Sequence, residues 1–308
     1  MPRPTARLSN CYVPLPLPSS VPAVRESPAE KLASLRSSRR GVGTPTQTAA
    51  DHQNNGEDDP RNSHSLRRLC LETSVTGQLG SALVELGHTK VLCEVDLTTR
   101  DYPSSISSPK MDQGILHCQV QYAPNVGINV VGHLSQAVTP LESTISAGKL
   151  NSEIMTKEAD LSFHLSSALL PSIPLERFPK CVLRVDVTIL QDDGSVLSAC
   201  IIAASMALAD ARVDLYDLVS SATVTVAVDN NNQEEATFLA DPTRRELSIS
   251  QAELCLAMLP NHKEVTLWNQ SGRLRPSMSN QAMELCRDGC RTMHKFMREH
   301  LVASSKDL

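Results

Sequence analysis

Acidic side chains that could hold a metal ion stand at two places in the second half of this 308-residue chain. Asp192 and Asp193 directly precede Gly194, and Asp241 precedes Pro242. Carboxylate oxygens are the ligands that hard divalent cations prefer. Adjacent acids before a glycine, however, usually form a turn, because an aspartate side chain hydrogen-bonds the backbone two residues further on. The sequence therefore favours a turn at Asp192-Asp193 over a metal pair.

A second candidate for metal chemistry lies near the C-terminus. Cys286, Cys290 and His294 recur at intervals of four, so a helix would bring them to one side. A structural zinc ion needs four ligands, and no fourth ligand accompanies this group, so small buried thiols are the better interpretation. Cys200 could act as a nucleophile, but its apolar surroundings would desolvate the thiolate, and we expect it in the core. We predict neither a metal nor a cofactor.

Two basic pairs, Arg67-Arg68 and Arg244-Arg245, could contact phosphate groups. Isolated basic pairs are usually solvated, so we expect both on the surface. The formal net charge of −5 argues against a dominant basic surface, and an aromatic content of 3% leaves few rings on which bases could stack. Tight RNA binding by the chain alone is therefore not expected.

A strand, helix and strand unit must position these side chains. Apolar residues alternate from 181 to 189 and again from 223 to 228, as half-buried strands require. The turn at 191–194 follows the first strand, and Ser195 is the predicted N-cap of a helix over 196–209. That segment carries no charge, and its many alanines suit close packing against a sheet. We therefore expect this helix at the centre of the fold.

The remaining elements follow from similar patterns. Two alternating runs around Gly87-His88 predict a β-hairpin over 80–95. Residues 251–259 fit either a strand or a helix when taken alone. The other predicted elements are strands at 115–122, 126–133, 237–240, 247–258 and 264–269, a helix over 152–170 capped by Ser152, and a final helix over 278–303.

The first 66 residues differ in composition from the rest. They hold nine of the nineteen prolines and long polar tracts, so they cannot bury enough apolar area to offset the entropy of ordering. We predict a disordered tail over 1–66, with an organelle transit peptide as the less favoured alternative. Nine scattered cysteines without a CxxC pair suit reduced thiols, and no apolar run reaches membrane-spanning length.

Several segments together resemble the RNase PH family. They are the hairpin GSALVELGHTKVLCEV, with Gly80, Gly87, Thr89 and Val91 at recurrent positions, Leu190 to Gly194, Ala209 to Val213 with Tyr216 to Val219, and the run FLADPTRRE that ends at Glu246. The resemblance covers roughly residues 68–303, and the combined order of the segments is specific. Within the family, the chain is similar to ring subunits of the eukaryotic RNA exosome.

The resemblance implies an α+β fold of RNase PH type, like that of ribosomal protein S5 domain 2, with mixed sheets packed on helices. One such domain would span 67–304, followed by a short tail over 305–308. The implied partners are other RNase PH-like ring subunits in a hexameric ring, cap subunits with S1 and KH domains, and single-stranded RNA in the assembled channel. The implied locations are the nucleus and nucleolus, and also the cytoplasm.

The family's chemistry is phosphorolysis of the 3′ end of RNA, which needs arginines for the phosphate and carboxylates for a metal. Active members carry an arginine where this chain has Leu197, and a second aspartate where it has Leu247. They also carry arginines in the helix before the central strand, and residues 152–170 contain none. Asp193 and Asp241 are thus vestigial candidates, and Asp241 is expected to cap a loop.

We therefore predict no catalysis by this chain and no catalytic residue, cofactor or metal. The expected function is a structural ring subunit that supports RNA processing and degradation, rRNA processing and mRNA turnover among them, by shaping the RNA channel. The alternative is an active phosphate-dependent 3′-to-5′ exoribonuclease. The sequence leaves open the position among sister subunits, the surfaces that contact neighbours or RNA, and the role of the N-terminal tail.

Overall fold

The computed structural model describes residues 11–12, 66–98, 113–124, 126, 143–228 and 236–304. The strands are β1 (Cys11–Tyr12), β2 (Leu69–Thr73), β3 (Gly80–Leu86), β4 (Thr89–Thr98), β5 (Ile115–Tyr122), β6 (Val182–Gln191), β7 (Ser220–Val228), β8 (Ala236–Ala240), β9 (Ala252–Leu259) and β10 (Glu264–Gly272). The α-helices are α1 (Ser143–Leu169), α2 (Val196–Asp210), α3 (Arg244–Ile249) and α4 (Pro276–Ser304), with 3-10 turns at Leu170–Ser172 and Leu175–Arg177.

The strands form two sheets, which confirms the predicted α+β class with mixed sheets packed on helices. The six-stranded sheet has the order β1-β2-β3-β4-β6-β5, and the four-stranded sheet has the order β10-β9-β7-β8. The β5 and β6 strands run parallel, whereas the other pairs are antiparallel. A β-hairpin joins β3 and β4 through Gly87, whose φ of +61° suits a residue without a side chain.

The charge-free helix α2 occupies the centre of the protein, as predicted. It packs against β3 and β4 of the first sheet and against β7 and β9 of the second. Twelve consecutive residues from Leu197 to Leu208 are buried, and Ala203 has no exposed surface. A helix enclosed by two sheets cannot carry a charge without an expensive desolvation, which explains its composition.

The helix α4 covers the other face of the four-stranded sheet. Its buried side chains include Leu285, Cys286 and Cys290, which pack with Leu254 and Leu256 of β9. Apolar residues recur on one side of this long helix, so the sequence located it to within two residues at each end. Among the described helices, none combines the length and apolar character needed to cross a membrane.

Several predicted boundaries were wrong. The helix α1 begins at Ser143, nine residues before the predicted start, so Ser152 lies inside the helix and does not cap it. Residues 244–249 form the short helix α3, whereas a strand was predicted from 247, and 252–259 is a strand. The capping box of Thr243 and Glu246 explains α3, because each side chain satisfies a backbone N–H at the helix start.

Other predictions fall mostly or wholly outside the described residues. The predicted strand at 126–133 is one of them, since only residue 126 of it is described. The predicted disordered tail is another, since Cys11–Tyr12 and Leu66 are its only described residues. The two-residue strand β1 pairs with Leu69 and Cys70 of β2, and Leu66 is buried in the main core.

Candidate functional site

The turn that joins β6 to α2 is the centre of the candidate site. The backbone N–H of Gly194 donates to Asp192 Oδ1 at 3.1 Å, so Asp192 forms the predicted turn. Gly194 has a φ of +90°, and a Cβ there would lie 2.6 Å from the carbonyl oxygen of Pro242. The turn therefore needs a glycine, both for its conformation and for its contact with the segment that follows β8.

Ser195 does not cap α2 as predicted. It stands at the N-cap position with a φ of +52°, and its side chain makes no capping hydrogen bond. Its hydroxyl donates instead to the carbonyl of Pro242 at 3.2 Å. An N-cap residue normally has extended backbone, which aims its oxygen at the first helical N–H groups. The left-handed backbone of Ser195 aims the hydroxyl at the neighbouring chain segment instead.

Arg67, which precedes β2, connects this turn to Asp241, which follows β8. Its backbone N–H and its Nε donate to Asp241 Oδ2 at 3.1 and 2.9 Å, and Nη2 donates to Asp241 Oδ1 at 2.7 Å. Nη1 also donates to the carbonyl of Asp193 at 2.9 Å, and Nη2 to the carbonyl of Gly194 at 3.2 Å. We call these five hydrogen bonds the Arg67 clamp.

The clamp corrects the expectation that Arg67 lies on the surface. The exposed fractions of Arg67 and Asp241 are 7% and 2%, so the ion pair is buried. Burial alone would lower the pKa of the guanidinium, but the charge and hydrogen bonds of Asp241, together with Asp193, raise that pKa overall. The neighbouring Arg68 is exposed, as expected. Nothing local in the sequence distinguishes the two arginines, because the partner of Arg67 lies 174 residues away.

A cavity of about 460 Å³ lies beside the same turn. Leu197 and Leu247, the two leucines predicted to replace functional residues, both line it. Asp193 and Asp241, the two vestigial candidates, are outside the lining and belong to the Arg67 clamp. The full lining is Leu161, Asp192, Gly194, Ser195, Val196, Leu197, Arg244, Leu247, Ser248, Glu253, Cys255, Asn269 and Ser271.

The charges in this cavity are partly compensated. Arg244 Nη1 donates to Asp192 Oδ2 at 2.9 Å, and the hydroxyl of Tyr122 donates to the same oxygen at 3.4 Å. Arg244 is only partly exposed, which corrects its predicted surface position, whereas Arg245 is exposed. Glu253 is a further acid in the lining, and sequence analysis missed it. Burial and, to a smaller extent, the charge of Asp192 raise the pKa of Glu253.

The cysteine residues considered as ligands are core thiols. Cys286 Sγ and Cys290 Sγ lie 3.7 and 3.4 Å from the carbonyls of Leu254 and Leu256, to which they donate. His294 lies 3.3 Å from Asp217 Oδ1, on a different surface of the molecule from the 460 Å³ cavity. Burial raises the pKa of Cys200, which has no exposed surface, so its thiol stays protonated in the core.

Comparison with protein families gives two adjoining matches. Domain 1 of the 3′ exoribonuclease family, RNase PH, matches residues 65–214, and domain 2 of the same family matches residues 220–288. Human exosome complex component MTR3 is 30% identical over 238 residues, covering 74% of this chain and 79% of its own length. Exosome complex component Rrp41 of the archaeon Cenarchaeum symbiosum is 27% identical over 249 residues, covering 79% of this chain and 89% of its own.

Solved structures of the same fold agree with this result. Rice Rrp46 superposes with a TM-score of 0.59 at 16% identity, covering 78% of this chain and 98% of its own. A chain of the Archaeoglobus fulgidus exosome with RNA bound to the active site gives a TM-score of 0.59 at 20% identity, covering 78% and 92%. These similarities confirm the predicted RNase PH-like fold, and the matches to both family domains show that the chain belongs to the RNase PH family of 3′ exoribonucleases.

Proposed function

We propose that this chain is a non-catalytic subunit of the RNA exosome core ring. The observation that carries the proposal is the pair Leu197 and Leu247 in the lining of one cavity. The resemblance to active family members places a phosphate-binding arginine and a metal-binding aspartate at these two positions. Leucine offers neither a donor for phosphate nor an oxygen for a metal.

Phosphate binding is disfavoured by the charges that remain in the cavity. Among the described lining residues, Arg244 is the only cation, and it is ion-paired with Asp192. Glu253 adds a second acid. The first turn of α2 supplies backbone N–H groups and a partial positive charge, but that effect is worth only about 0.3–1 kcal/mol at an accessible site. A phosphate dianion would therefore lack an arginine in bidentate reach and would face carboxylates.

The metal that the family's chemistry implies does not fit these residues either. Asp241 accepts three hydrogen bonds from Arg67, and its predicted partner position is occupied by Leu247. A metal ion would have to displace the buried guanidinium of Arg67, which pairs with Asp241 and lies 3.6 Å from Asp193 Oδ2. The described residues also bring together no group of three or more potential metal ligands.

The proposed partners are other RNase PH-like ring subunits, the S1 and KH cap subunits, and single-stranded RNA in the channel. Support comes from relatives named as exosome components and from the exosome chain with RNA at its active site that shares the fold. In this proposal the chain supports 3′-to-5′ RNA processing and degradation by completing the ring. The proposed locations are the nucleus, the nucleolus and the cytoplasm.

An active phosphate-dependent exoribonuclease is the second candidate. Its support is the similarity to Rrp41 proteins over most of their length and the presence of an open cavity at the family's reactive position. The two candidate functions predict different assemblies, which co-purification can distinguish. We expect the full chain, expressed with a tag in cells, to co-purify with RNase PH-like and cap subunits identified by mass spectrometry. Recovery of a homo-oligomer without those subunits would contradict the ring proposal.

A further inference from the structure

The cavity beside the turn has two unlike walls. On one wall, the helices contribute mainly apolar side chains, which are Leu161 on α1, Val196 and Leu197 on α2, and Leu247 on α3, together with Ser248 and the Asp192-paired Arg244 on α3. The other wall comes from the four-stranded sheet and is polar. Its polar side chains are Glu253 on β9, and Asn269 and Ser271 on β10, beside the buried Cys255 of β9.

The polar wall is one contiguous cluster. Ser271 is the cross-strand partner of Glu253, and Asn269 is the partner of Cys255, two residues further along β9. Directly paired side chains of an antiparallel sheet lie about 5 Å apart, and diagonal ones about 7–8 Å apart. A carboxyl, a hydroxyl and an amide therefore line one side of the cavity, about 5 to 8 Å from each other.

These three groups have no hydrogen-bond partner in the described part of the chain, unlike the acids of the Arg67 clamp. Ser271 is exposed, but Glu253 and Asn269 are partly buried. Partly buried polar groups normally find partners, and unpaired ones with a perturbed carboxyl in a cavity are typical of ligand sites. A volume of about 460 Å³ lies within the range of about 300–1,000 Å³ usual for small-molecule pockets. The cluster is accessible, so a ligand can supply the missing partners.

We propose that this cavity binds an unpaired guanine base of single-stranded RNA, with the base between the leucines and its polar edge against Glu253. The inference rests on the proposed function, which brings RNA to the ring. The two carboxylate oxygens match the adjacent N1–H and N2–H donors of guanine, and the amide of Asn269 can donate to O6. The apolar wall suits the uncharged faces of a base, and binding requires no phosphate contact.

A basic side chain of a partner subunit is the competing occupant, but it matches the wall less well. Lysine and arginine carry donors only. They would satisfy Glu253 and leave the amide hydrogens of Asn269 without an acceptor. A guanine edge carries both donors and an acceptor, as the polar wall does.

The test uses the full chain and uncharged nucleosides, so that phosphate attraction plays no part. Guanosine, adenosine, cytidine and uridine are titrated separately by ligand-observed NMR. We expect guanosine to bind most tightly, and Glu253→Gln to weaken its binding by about tenfold or more, because an acceptor becomes a donor that opposes N1–H. Glu264→Gln on the same sheet is the matched control and should bind guanosine as the unmodified chain does. A melting curve confirms that each variant is folded.

Three results would overturn the proposal. One is equal guanosine binding by Glu253→Gln and the unmodified chain. Another is binding of guanosine monophosphate without binding of guanosine, which would assign the site to phosphate. The third is no guanosine binding together with weaker co-purification of ring partners by Glu253→Gln, which would assign the cavity to a partner's basic side chain. Absence of guanosine binding would contradict the guanine site but not the proposed ring function. Phosphate-dependent RNA shortening by the chain would contradict the proposed function, independently of the nucleoside results.

Discussion

The Arg67 clamp and the neighbouring cavity share one turn and have opposite chemistry. In the clamp, the Asp241 carboxylate and the carbonyls of Asp193 and Gly194 accept hydrogen bonds from one buried guanidinium. In the cavity, the carboxyl of Glu253 faces an open space without a hydrogen bond from any described residue. An acid therefore stabilises this fold only where another chain segment supplies its hydrogen-bond donors, as Arg67 does for Asp241.

Breaking the clamp is expected to have the largest effect on stability. Arg67→Met would remove the guanidinium that pairs with the buried Asp241 carboxylate, and loss of one partner of a buried ion pair costs about 3–5 kcal/mol. The free energy of unfolding from urea titration measures this. Arg68→Met is the matched control, since Arg68 is the exposed neighbour, and should change stability by less than about 0.5 kcal/mol. Equal changes in the free energy of unfolding for the two variants would contradict the burial of the Arg67 clamp.

Gly194→Ala is expected to have the next largest effect, because it strains the turn between the two regions. The φ of +90° and the carbonyl of Pro242, 2.6 Å from the added Cβ, both oppose a side chain. A cost of about 1–3 kcal/mol is typical of such strain. Gly77→Ala is the control, since a Cβ at Gly77 meets no atom within 4 Å. Unchanged stability of Gly194→Ala in thermal unfolding would mean that the turn is not held against the segment after β8.

Glu253→Gln is expected to have a smaller effect of opposite sign. Burial and Asp192 raise the pKa of Glu253 above its unfolded-state value, so ionisation of this carboxyl favours the unfolded chain. The unmodified chain should therefore lose this contribution to stability as pH rises from about 4.5 through the raised pKa. The glutamine variant should melt at a higher temperature at pH 8, with the difference shrinking as the pH falls towards 5. A difference that grows on acidification would contradict an unpaired Glu253.

Restoring charged residues is expected to have the smallest effect on RNA degradation. Leu197→Arg combined with Leu247→Asp returns two groups of the family's chemistry to the cavity, but Asp241 stays bound to Arg67. Stabilising a transferring phosphoryl group requires donors and metal to be positioned together. We expect no release of nucleoside diphosphates from RNA by this double variant. Release of nucleoside diphosphates by the double variant would show that the Arg67 clamp does not prevent Asp241 from taking part in catalysis.

Sequence reasoning located the fold better than the site, for a physical reason. The positions of α2, α4 and the hairpin follow from periodicity and composition, which are local properties. The early start of α1 was missed because Thr144, Ile145 and Gly148 have low helix propensity, and α3 was hidden by its short length. The partners of Arg67 and the exposure of Glu253 to a cavity depend on contacts between distant segments. The sequence alone gives no reason to place Leu197 and Leu247 in one site. The resemblance to the family predicted this, and both residues line the same cavity.

We propose that the chain itself does not degrade RNA. The most direct test incubates the purified full chain with a 3′-labelled single-stranded RNA, phosphate and Mg²⁺, and follows both RNA length and released nucleoside diphosphates. The proposed absence of a phosphate-binding arginine and a metal site predicts no phosphate-dependent shortening in any oligomeric state. Shortening that requires phosphate and disappears in Leu247→Trp, a variant that fills the cavity, would contradict the claim and identify this cavity as an active phosphorolytic site.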